Sequence, residues 1–140
     1  MTKIDNVKYV KNPTTVHGIK VVNNIEQAVE ELKKGHTIAR FEFGDSMMPI
    51  LKNGEYGIAT PIQNLNEVSV GDAVVCEVNG HLMTHMVVLI SESHAETPYF
   101  LIGSTWMNFY GWTNKIYGIV KGTIPEEKIA VVSGLKDYIV

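Results

Sequence analysis

The chain has 140 residues, a formal net charge of −3 and one cysteine, Cys76. That length suits a single domain whose core buries roughly two thirds of the unfolded chain's surface, and 45% hydrophobic against 19% charged residues is a globular composition, not a disordered one. The acidic balance leaves no basic face for nucleic acid and no basic amphipathic stretch for a membrane surface, and a lone thiol excludes an intramolecular disulfide.

Residues 1–22 are polar with short apolar pieces (Val10 and Ile19 to Val22) and an Asn12-Pro13 step, and read as an N-terminal arm or an edge strand. The remainder, 23–140, reads as one β domain. No apolar run of signal-peptide length opens the sequence, and no stretch approaches the ~20 apolar residues of a membrane helix. The expectation is a protein without a membrane anchor, in a reducing compartment such as the cytoplasm.

One helix is predicted. Ile25, Ala28, Val29 and Leu32 fall on one helical face, Asn24 can cap it with Gln27 at the third position, and Gly35 after Lys33-Lys34 is a stop signal. Beyond it the pattern is β: Thr37 to Phe43, Tyr56 to Thr60, Asp72 to Val78, His81 to Ile90, Tyr99 to Ile102 and Lys115 to Val120. Asn79-Gly80 between the third and fourth of these is the strongest short hairpin signal. The tail from Pro125 is open between helix and strand. Many short strands with one early helix make a mainly-β fold.

Gly44-Asp45-Ser46-Met47-Met48-Pro49 follows the Thr37–Phe43 strand. A serine just past a strand end is exposed and lies beside free backbone N–H groups, which is what a nucleophile and its oxyanion require. The alternative is a turn in which Asp45 and Ser46 serve geometry and the two methionines fill the core. With a two-residue turn at Asn79-Gly80, Val78 faces His81 and Val74 faces His85, so His81, Met83, His85 and Val87 share one sheet face. His85 is then a polar residue among apolar ones, kept uncharged by burial and fit to act as a base near neutral pH; the alternative is a core histidine bonded to backbone.

These segments resemble, in order, the superfamily that joins signal peptidases to the self-cleaving LexA, UmuD and phage-repressor domains. Phe43 to Pro49 resembles the nucleophile box, Asn53 to Ile58 and Val70 to Val75 the Gly-Asp strand starts, Thr84 to Val88 the segment of the general base, and Tyr117 to Val120 the closing Gly-x-Val strand. The similarity spans Ala39 to about Gly122. It implies a signal-peptidase/LexA-like complex β fold and an acyl-enzyme serine peptidase, with Ser46 as nucleophile and His85 as general base, and the backbone N–H of Ser46, with that of Gly44 or Asp45, as oxyanion donors. Most bacterial members carry lysine at the base position; histidine here is similar to the endoplasmic-reticulum and archaeal type. Those enzymes also carry a downstream Gly-Asp-Asn box, where this chain has Gly103-Ser104-Thr105 and no aspartate. Ser104, Thr105, Asn108 and Asn114 are the candidates to orient the His85 ring.

His81, His85, His94 and Cys76 do not form a zinc set: two histidines four residues apart on a strand lie about 13 Å apart. No metal and no cofactor is expected. Trp106, Phe109, Tyr110 and Trp112 read as an aromatic loop that is either a hydrophobic lid or a substrate or partner surface. His17-Gly18 is the X-Gly bond of the arm that a LexA-like domain would cut in itself. The expectation is thus an endopeptidase-like or self-processing protein acting on a polypeptide or on its own arm, with no nucleic acid or membrane contact and with a homodimer left open. The alternative is a catalytically silent binding or regulatory module on the same scaffold, like UmuD or a phage accessory protein.

Overall fold

In a computed structural model, the structure describes residues 14–16, 19–41, 55–91 and 97–125. Gly44, Asp45 and Ser46, the His17-Gly18 bond, His94 and the tail after Pro125 lie outside the described residues. The described fold is mainly β, with one α-helix. Its elements are β1 (Thr14–Val16), β2 (Ile19–Val22), α1 (Ile25–Lys33), β3 (Thr37–Phe41), β4 (Glu55–Pro61), β5 (Ala73–Val78), β6 (His81–Ser91), β7 (Tyr99–Gly103), β8 (Phe109–Thr113) and β9 (Ile116–Pro125). They make one nine-stranded sheet in the order β1-β2-β3-β4-β9-β5-β6-β7-β8.

The β2–β3 pair is parallel, and the other strand pairs are antiparallel. A parallel pair needs a long crossover, and α1 supplies it. Ile19 to Val22 is therefore built into the sheet, with Val21 and Val22 buried. The helix starts as its residues require: Asn24 Oδ1 accepts from the Gln27 N–H at 2.9 Å, while Gln27 Oε1 accepts from the N–H of Asn23, one residue before the cap, at 2.8 Å. It ends in a Schellman motif, in which the Gly35 N–H reaches the Leu32 carbonyl and the His36 N–H reaches the Glu31 carbonyl.

The sheet buries both faces. On one, Ala28, Val29 and Leu32 of α1 pack on Val22, Ile38, Ala59 and Val75. On the other, Val74, Cys76, Val78, Val87, Phe100, Ile102, Ile116 and Ile119 form a second core. The β5–β6 hairpin has Asn79 at φ 51° and Gly80 at φ 84°, so both turn residues are left-handed, as a type I′ turn demands. The register pairs Val78 with His81 and Val74 with His85. Among the described residues no helix is long and apolar enough to cross a membrane.

Phe109–Thr113 differs from the sequence reading: it is a strand, not a loop. Aromatic and Thr side chains favour a pleated surface, but Gly111 breaks the alternation that would have revealed it. β8 also closes the sheet back toward β5. The Thr113 hydroxyl donates to the Glu77 carbonyl at 2.6 Å, and the Glu77 N–H donates to the Lys115 carbonyl at 3.0 Å.

One ionic contact locks the end of α1. Glu31 is buried and accepts from His36 Nδ1 at 2.8 Å and from Lys34 Nζ at 3.4 Å. The His36 hydrogen bond, with help from the Lys34 charge and against desolvation, holds its carboxyl below the ordinary 4.5. A depressed carboxylate stabilises the fold at neutral pH, and the contribution is lost as pH falls through and below 4.5. Glu31→Gln is expected to be less stable at pH 7 by about 1 kcal/mol. The gap to the parent closes below the ordinary carboxylate range, as read by urea unfolding across pH; a gap that is constant with pH contradicts this assignment.

Candidate functional site

His85 sits midway along β6, opposite Val74, on the face where Met83 and Val87 join the second core. Strand alternation sends the neighbouring Thr84 to the other face, where it lines a small groove beside α1 together with Ala28, Ile38 and Arg40. The His85 ring is half-buried, and burial pushes its pKa below the ordinary 6.5. Among the described residues no charged group contributes to that shift. The imidazole is therefore neutral at physiological pH, the state in which it can accept a proton.

One face of the ring is covered by Tyr110 of β8. The two ring centroids are 4.5 Å apart and the planes lie 27° from parallel. This contact depends on the approach of β8 to the β5–β6 turn. At Gly111, φ 140°, a Cβ would stand 3.0 Å from a Val78 methyl and 3.2 Å from Asn79 Nδ2, so a larger residue would be strained there and would crowd the β5–β6 turn.

His85 Nδ1 is buried and has no hydrogen-bond partner among the described residues. None of Ser104, Thr105, Asn108 and Asn114 therefore bonds that nitrogen. Ser104 is fully buried, but its hydroxyl accepts from the N–H groups of Trp106 at 3.2 Å and Asn108 at 3.3 Å, which ties the β7–β8 turn. Thr105 and Asn114 are half-buried and Asn108 is exposed. A carboxylate does occur nearby on β5, Glu77, but it neighbours the core residues Cys76 and Val78 and so lies on the opposite face of the strand. There it accepts from Lys115 and Tyr117.

Cys76, on the His85 face, has an unreactive thiol: burial pushes it up to about 12, and the thiolate is the reactive form. Among the described residues no group of three His, Cys, Asp or Glu is placed to hold a metal ion. Trp106, Phe109 and Trp112 are exposed, with Trp106 at 66%. In the register Trp112 continues a row with Leu101 and Leu89 on the outer side of the sheet. Of these aromatics Tyr110 stacks on the His85 ring. The sequence placed it in an aromatic cluster but had no signal for its contact with a residue 25 positions earlier. The chain matches no protein-family model, no curated protein and no solved structure.

Proposed function

We propose that the chain is a serine peptidase-like or self-processing domain in which His85 serves as general base to Ser46. The observation that carries this reading is the environment of His85: an imidazole half-buried on an apolar sheet face and kept neutral by that burial. Ser46 follows the last described residue of β3, Phe41, by five positions. In the reaction His85 takes the Ser46 proton, the Ser46 oxygen attacks a peptide carbonyl, and an acyl-enzyme forms while the amine departs with a proton from His85. The backbone N–H of Ser46, with that of Gly44 or Asp45, holds the oxyanion, each donor worth about 3 kcal/mol. The substrate is a polypeptide or the chain's own N-terminal segment. The lone Cys76 thiol fits a reducing compartment, and we assign the protein to the cytoplasm.

A second reading has its own support. Among the described residues Nδ1 of His85 lacks the acceptor that a serine triad uses to select the productive tautomer, and the exposed Trp106 and Phe109 suit a binding surface. On that reading the scaffold is a silent binding or regulatory module. An activated acyl ester separates the two. The expected product carries one acyl group, located on Ser46 by peptide mass spectrometry and absent from Ser46→Ala. Equal labelling of parent and Ser46→Ala, or no adduct at all, rejects the peptidase reading and leaves the binding module.

A further inference from the structure

A general base must do more than be neutral. Its ring has to be held in one plane, and in a serine triad a hydrogen-bond acceptor behind the ring does this. Here that acceptor is missing: Nδ1 of His85 is buried without a partner among the described residues. Ser104, a hydroxyl candidate for that place, spends its oxygen on the N–H groups of Trp106 and Asn108.

We propose that Tyr110 is the positioning residue of the His85 imidazole: its ring, stacked on His85 at 4.5 Å, holds the plane of the base in place of a hydrogen-bonding third member. The proposal rests on the reading of His85 as general base. Three features make Tyr110 suited to the task. Its strand is pinned, because Thr113 bonds the Glu77 carbonyl. The absent side chain of Gly111 lets that strand close on Val78 and Asn79. The stack is nearly parallel, at 27°, and an offset stacked geometry restrains rotation of the smaller ring.

Stacking and hydrogen bonding divide the usual work of a third residue. Tyr110 can fix the ring plane but cannot choose which nitrogen carries the proton. With Nδ1 shut in, Nε2 is the nitrogen left to face a nucleophile. The groups that share this face with His85 are Cys76 from β5, uncharged at neutral pH, and Tyr110 from β8. His81 lies on the same strand face about 13 Å away. Among the described residues no charged side chain contributes to the protonation balance of His85, which burial sets, and the covering ring is part of that burial.

The test combines NMR titration of His85 with the rate of Ser46 acylation, in the full chain and in Tyr110→Ala, Tyr110→Phe and Tyr110→Trp. In Tyr110→Ala the ring is uncovered. Its titration midpoint is expected to rise toward 6.5, and at pH 8, where both proteins hold a neutral His85, acylation is expected to slow about tenfold, the worth of an aromatic stack. Phe and Trp are expected to restore both the midpoint and the rate lost in the alanine variant. Unchanged midpoints in all three variants overturn the proposal, and so does a Phe variant that behaves like alanine, since the hydroxyl and not the stack would then be responsible. The titration arm stands apart from the peptidase reading. A parent protein that never acylates Ser46 rejects catalysis, while an unchanged midpoint in Tyr110→Ala rejects the cover that Tyr110 gives the ring.

Discussion

His85→Ala is expected to slow acylation of Ser46 by about 10²–10⁴-fold, the usual worth of a positioned general base. The pH profile of the parent carries the more specific prediction. The active species is the neutral imidazole, and burial holds the His85 pKa below 6.5. The rate should therefore rise with pH through a midpoint below 6.5 and be flat at and above neutrality. A lysine base behaves differently, because its neutral form grows only as pH rises toward the alkaline range. Stopped-time labelling with the acyl ester between pH 5 and 9 checks this. A profile still climbing steeply above pH 8, or one identical in His85→Ala, removes His85 from the role of base. The same variant should leave the β5–β6 register intact, since Asn79-Gly80 and the Val74–Ile119 pairing to β9 set it without the imidazole.

Phe100→Ala is expected to cost about 3–5 kcal/mol of stability. Phe100 is at 0% exposure in the core that also holds Val74, Val87 and Ile102. Its removal leaves a cavity between β6 and its neighbours that the paired strands cannot collapse to fill, because Phe100 is fixed between Ile90 on one side and Thr113 on the other. Urea unfolding should show a lower midpoint with an unchanged slope. A loss under about 1 kcal/mol would mean that this core is loosely packed. Because β7 leads directly into the Ser104 turn and then into Tyr110, the variant should also weaken the stack on His85, visible as a change in the His85 ring shifts.

Much of the fold follows from local rules. Asn24, the Ile25–Leu32 stripe and Gly35 define α1 because capping, periodicity and a left-handed stop all act within one or two turns. Asn79-Gly80 defines the hairpin and its register for the same reason: both turn residues must be left-handed, and a two-residue turn leaves one way to pair the strands. From that register alone His85 falls opposite Val74, among apolar neighbours, and its neutrality follows from burial. What eluded local reading was β8, where Gly111 interrupts the alternation, and the place of β2, whose pairing to β3 exists only once α1 has crossed the sheet.

The site divides along the same line. The sequence by itself supplied the residue types of the proposed site (a serine in Gly-Asp-Ser-Met-Met-Pro, a histidine on a β strand) because residue type and strand period are local properties. Only the tertiary structure decided the surroundings of His85. Ser104 could have stood behind the ring, but its hydroxyl is taken up by its own turn; Glu77 carries the right charge on the wrong face; and Tyr110, across two strand pairings, covers the imidazole. The first two follow from a local turn and from strand alternation; the Tyr110 contact depends on how the sheet brings β8 across β6, a long-range packing outcome that no spacing along the chain encodes.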